Sequence, residues 1–143
     1  MLPSRKSLRL DIVEAAEPSA PPLIDRLRAP DYDTVNAARH ELFQRGSSTC
    51  IALLNHPDPK VRSSAAQVLG WYKDPANNDA LIARFDDPDR YVRMSAIYSV
   101  GFSSDPSRIP NVERKLADRD PSVQSVASET LWRLRRSGEG ASD

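Results

Sequence analysis

Residues 87–101 read DPDRYVRMSAIYSVG, and residues 56–70, thirty-one positions upstream, read HPDPKVRSSAAQVLG. The spacing extends beyond the quoted stretch. Val61, Val92 and Val123 are 31 apart, as are Ala65, Ala96 and Ala127, and Leu69, Val100 and Leu131 keep the same register. Within each copy the apolar positions fall at i, i+4 and i+8, which is one stripe of a helix. Asp58, Asp89 and Asp120 stand three residues before the valines, and Pro59 and Pro121 follow two of them. An aspartate at the cap with proline at the first helical position is a helix start.

A second, shorter helix is expected ahead of each of these. Leu81 and Phe85 supply its apolar positions in one copy, Val112 and Leu116 in the next, and Ile51 with Leu54 in the copy before. Asp74-Pro75 and Asp105-Pro106 mark the turns between helices. A weaker first copy emerges at an offset of 27, pairing Leu27 with Leu54, Ala38 with Ala65 and Leu42 with Leu69. Terminal repeats are commonly atypical because one flank meets no neighbour. No stretch alternates with period two, so an all-α chain of about four helix pairs is expected. Its divisions are an N-terminal capping segment and linker over 1–22, repeats over 23–136 and a disordered tail over 137–143.

The pattern of Asp-Pro-Asp, Val-Arg, a small residue, an apolar residue, Gly and then Asp-Pro resembles the short HEAT-like repeats of phycocyanobilin lyases. That resemblance covers about residues 23–136 and implies a right-handed α-α superhelix whose inner helices line a concave face. It also implies that Arg62 and Arg93 pair with aspartates along the stack, with Asp58 and Asp89 four residues before them. Gln124 and Val35 take the arginine slot in the last and first copies, so such a ladder would stop at both ends.

Composition narrows the function. Lys plus Arg and Asp plus Glu both number 20, so the net charge is zero and no broad positive field attracts nucleic acid. The single cysteine, Cys50, forms no internal disulfide and has no activating partner at a catalytic spacing. The five glycines form no phosphate-cradling loop. The N-terminal stretch lacks the apolar core of a signal peptide, and no apolar run reaches the roughly 20 residues of a membrane helix. A cytoplasmic, membrane-free protein without a catalytic constellation or cofactor is expected.

Candidate contacts are the second-helix positions that point away from the core stripe. These are Ser63 and Gln67, Met94 and Tyr98, Ser125 and Glu129, with Asn36 and His40 in the first copy; Gln44, Trp71, Phe102 and Arg133 lie one turn further. Met94, Tyr98, Trp71 and Phe102 are expected to cluster centrally, with Gln67, His40 and Glu129 beside them, as a protein-binding site. Trp71 and Phe102 have a second reading, as covers over repeat junctions, and Trp132, in the glycine slot of the last copy, is expected to close the core end.

Two chemistries are weighed against this reading. His40-Glu41 resembles one of the His-Glu pairs that HEAT-type deoxyhypusine hydroxylases use for iron, but Gln67-Val68, Tyr98-Ser99 and Glu129-Thr130 occupy the equivalent positions, so no metal is expected. Arg133, Arg135 and Arg136 suit the last turn of a helix, where cations complement the dipole. A protein partner is therefore expected on the concave face, with an accessory role related to bilin lyases as the alternative and nucleic acid disfavoured.

Overall fold

The structure, a computed structural model, describes residues 21–141. Eight helices follow one another: α1 (Leu23–Leu27), α2 (Tyr32–Arg45), α3 (Ser47–Leu53), α4 (Pro59–Trp71), α5 (Asn78–Ile82), α6 (Arg90–Val100), α7 (Ile109–Glu113) and α8 (Pro121–Ala141). No strand occurs among the described residues. The fold is an all-α solenoid in which short first helices alternate with long second ones. The expected capping segment lies almost wholly outside the described residues. The segment expected to be a disordered tail is helical through Ala141, so Arg133, Arg135 and Arg136 lie inside α8 rather than in its last turn.

The aspartates start the second helices by accepting hydrogen bonds from otherwise orphaned backbone N–H groups. Asp31 accepts from Thr34, Asp58 from Lys60, Asp89 from Tyr91 and Val92, and Asp120 from Ser122. Asp74 and Asp105 do the same for the short 3₁₀ turns that lead into α5 and α7. Lys73 and Ser104, 31 apart, both adopt left-handed backbone with φ near 53° and 56°. The repeat therefore extends to backbone conformation.

The core is built from these equivalences. Ala38, Ala65, Ala96 and Ala127 are sealed where the second helices approach most closely, flanked by Val61, Val92 and Val123 and by Leu42, Leu69, Val100 and Leu131. The first helices contribute Leu23, Cys50, Leu81 and Val112 in one row and Leu27, Leu54 and Phe85 in another. Two expectations are corrected here. Ile51 is exposed and Cys50, in register with Leu81, is the buried residue. Leu116 is 44% exposed, because no following repeat among the described residues packs on it as α7 and α8 do on the preceding one.

Contact between α4 and α6 requires Gly70. A methyl there would lie 2.6 Å from Ser99 Cβ and 3.0 Å from its Cα. The approach lets the Ser99 hydroxyl donate to the Ala66 carbonyl at 2.8 Å.

The arginine ladder exists, but its partners differ from those expected. Asp58 and Asp89 are occupied as helix caps. Arg62 instead makes a two-pronged bond to Asp87 of the next repeat (2.9 Å and 2.9 Å), and Arg93 does the same to Asp118 (3.0 Å and 3.2 Å). Each arginine also donates to the carbonyls of its own entry loop, His56 and Pro57 or Asp87 and Pro88. Arg93 is 2% exposed and Asp118 is as deeply buried. The ladder stops as expected at Gln124, which reaches the Asp118 carbonyl at 2.6 Å.

Lys115 adds a second cation to Asp118 at 2.9 Å. Burial pushes the Asp118 carboxyl up, but donors from Lys115, the Asp120 amide and Arg93 outweigh it and leave it at about 2, below the ordinary 3.8.

Two tests follow from this packing. Gly70→Ala should destabilise by about 1–3 kcal/mol in chemical denaturation, because overpacking against Ser99 backbone outweighs the helix propensity that alanine gains. A carboxyl held below its unfolded value stabilises fully above that value and loses its contribution as pH falls through the folded one. Wild-type stability should therefore drop between about pH 4 and pH 2, and Asp118→Asn should lower neutral-pH stability while flattening that drop, read from urea midpoints across the window.

Candidate functional site

Helical spacing places four rows on one face of the second helices. Positions 60, 63, 67 and 71 of α4 align with 91, 94 and 98 of α6 and 102 of the 3₁₀ turn that follows it, and with 122, 125, 129 and 133 of α8. The expected contact residues do lie along this face, and they differ in what they present. Tyr98, His40 and Glu129 are exposed; Gln67, Trp71 and Phe102 are half-buried; Met94 is half-buried against the core.

The expected central cluster divides into two groups of rings. Tyr98 meets Phe102 edge-to-face at 5.0 Å. Trp71 instead packs toward the first repeat, 5.0 Å from His40 and 5.9 Å from Phe43. Phe43 in turn stacks on Tyr72, whose hydroxyl donates to the Phe43 carbonyl. Trp71 is thus the junction cover that one of its two readings anticipated, its ring bridging α4 to the His40 and Phe43 rings of α2.

The Tyr98–Phe102 pair is organised by Arg133 of α8. Its guanidinium carbon sits 4.3 Å from the Tyr98 ring centre and 4.6 Å from that of Phe102, and Nη2 donates to the Tyr98 carbonyl at 2.9 Å. Cation–π attraction of this kind contributes about 0.5–2 kcal/mol. The absence of a side chain at Gly101 admits it: an added methyl would lie 2.8 Å from Nη2.

Trp132 corrects another expectation. It is 59% exposed and does not close the core; Leu131 and Leu134 do so from the opposite side of α8. Its ring instead carries Arg136 at 4.8 Å. Between these groups lies an open cavity of about 410 Å³ walled by Lys73, Phe102, Trp132, Arg133 and Arg136, with no carboxylate in its lining. Two further exposed rings, Tyr32 and Tyr91, stand at the N-terminal ends of α2 and α6. The periodicity gave no reason to single them out, since the first turn of a helix lies beyond the buried stripe.

The remaining chemistry is limited. Burial pushes the Cys50 thiol up to about 11, so it stays protonated and is a poor nucleophile. Among the described residues no three His, Cys, Asp or Glu side chains gather as a metal site, and no helix is long and apolar enough to cross a membrane. The face offers aromatic edges, held guanidinium groups and a cationic hollow.

A family model described as HEAT repeats matches residues 47–132 of the chain. No curated protein matches it.

Proposed function

We propose that this chain, which belongs to the HEAT-repeat family, is a non-enzymatic interaction module that binds an acidic segment of a partner protein on its second-helix face, the concave face of such a solenoid. HEAT repeats generally mediate protein–protein interaction. The observation that carries the reading is the pairing of exposed rings with held cations, Tyr98 and Phe102 with Arg133 and Trp132 with Arg136, around a hollow that no carboxylate lines. Aromatic and arginine side chains are the residues in which binding energy concentrates, and rings held by guanidinium groups lose little freedom on docking. A cationic lining favours a partner of opposite charge and raises its rate of encounter.

Tyr98, Met94, Phe102 and Glu129 belong to this surface in our reading, with Gln67, Trp71 and His40 extending it toward the first repeat. The chromophore-attachment alternative rests on resemblance alone, and a titration with bilin that leaves its absorbance unchanged would remove it.

The test is quantitative capture from native lysate with wild-type protein and the Tyr98→Ala/Trp132→Ala variant, read by mass spectrometry. Each ring should contribute about 2 kcal/mol, so the double variant should lose a dedicated partner by well over tenfold. Its melting temperature should fall by only a few degrees, since both rings are partly exposed and lose only their contacts with Phe102, Arg133 and Arg136. Undiminished capture by the double variant would overturn the reading.

A further inference from the structure

A second cavity, of about 480 Å³, opens at the N-terminal end of the same face, among α1, α2, α4 and α6. Its walls are mainly apolar: Leu27, Ala29, Val35, Pro59 and Tyr91. Arg39 also lines it, together with Lys60 and Ser64.

Arg39 departs from the repeat. At the offset of 27 it occupies the slot of Ala66, which is Ile97 in the following copy, and both of those are fully buried. A slot that is apolar and buried in the two central copies, and is the exposed Ser128 in the last, here takes a guanidinium. Its Nε donates to the buried Ser64 hydroxyl at 3.0 Å, and neither Nη has a partner among the described residues. Arg26, Arg62, Arg84, Arg93 and Arg108, also withdrawn from water, each hold a carboxylate, and Arg133 is held instead by the Tyr98 and Phe102 rings and the Tyr98 carbonyl. Arg39 holds no carboxylate among the described residues, although burial already pulls its pKa below the ordinary value.

A half-buried cation without a counter-ion bears a desolvation cost that its own fold does not offset. The charge faces a cavity large enough for several side-chain groups. Val35 stands where Arg62 and Arg93 stand in later copies, so the ladder arginine is replaced by a short apolar wall. Asp89 also lines the cavity, but its carboxylate is committed to capping α6 through Tyr91 and Val92. That fixed negative charge disfavours a dianion such as phosphate, whereas a single carboxylate next to an apolar group matches one guanidinium, Lys60 and the apolar walls.

We propose that this cavity is a carboxylate pocket: Arg39 receives an aspartate or glutamate side chain of the partner protein in its two-pronged fork, and an apolar neighbour of that residue seats against Leu27, Val35 and Pro59. Arginine, with its planar pair of Nη donors, is suited to this geometry where lysine is not. The inference rests on the protein-binding reading and names the chemistry of the segment bound. Lys60 and Trp71 are 11 residues apart on α4, about 16 Å at 1.5 Å per residue, so one segment can span this pocket and the hollow beside Arg133.

The test titrates isotope-labelled full-length protein with acetyl-Leu-Glu-amide, acetyl-Leu-Gln-amide and inorganic phosphate, following the Arg39 Nε–H and Ser64 signals by NMR. The glutamate peptide should bind at least tenfold more tightly than the glutamine peptide, and phosphate should not displace it. Arg39→Met should abolish the preference, with the melting temperature confirming that the apolar side chain suits its slot. Arg39→Lys, which keeps charge without the fork, should retain a reduced preference and serves if the methionine variant does not fold. Equal binding of the two peptides, a preference that survives the Arg39→Met substitution, or tighter binding of phosphate would overturn the proposal.

The two readings fail separately. Loss of the glutamate preference with Tyr98/Trp132-dependent capture intact removes only the pocket. A preserved preference with capture indifferent to those rings removes the aromatic surface and leaves the pocket standing.

Discussion

A buried arginine that reaches from one repeat into the loop of the next holds this molecule in register. Arg93 ties its own entry loop, through the Asp87 and Pro88 carbonyls, to Asp118 of the following repeat, and Arg62 makes the same connection one step earlier. Apolar stripes alone would tolerate sliding between neighbouring helices. A two-pronged bond at fixed distance does not. The receiving aspartates also accept backbone N–H groups two residues on, so one carboxylate shapes the loop and receives the clamp. Desolvating such a pair is costly, and it persists because the donors and lone pairs around it are engaged.

Function follows from this regularity by contrast. Once the repeat assigns each position a structural task, residues that depart from the assignment stand out. Tyr98 and Trp132 lie on the outside of helices whose equivalents elsewhere include Gln67 and Gly70. Arg133 crosses to Tyr98 over a glycine, and Arg39 stands where the two central copies place Ala66 and Ile97. None of these side chains belongs to the repeated apolar stripe, and two of them, Arg39 and Arg133, carry charge into positions that the central copies leave apolar.

Much of the architecture was legible in the sequence because period and packing coincide. The valines, alanines and leucines of the second helices fall into the core row by row, and the aspartates cap where their spacing implied. Legibility failed where three dimensions choose among near-equivalent neighbours. Ile51 and Cys50 are adjacent and both apolar, and the rotation of a seven-residue helix turned the cysteine inward. The ladder aspartate lay in the next repeat rather than the same helix, a contact that no i+4 rule describes. Trp132, in the glycine slot of the last copy, was expected to cover the core end, but Leu131 and Leu134 fill that side. The candidate site was legible as a face and not as contacts: Tyr98 and Phe102 met as expected, whereas Trp71 went to His40 and Phe43. Arg39 was findable at the 27-residue offset, as a charge in an apolar slot.

The clamp between repeats is tested most directly by a double-mutant cycle on Arg93 and Asp118, using Arg93→Met, Asp118→Leu and the pair, with unfolding free energies from denaturant titration. If the two side chains hold the stack through each other, either single change strands a buried charge, and the double variant is more stable than the sum of the single losses predicts, with a coupling of about 2 kcal/mol. Losses that simply add would contradict the account and leave apolar packing alone as the source of register.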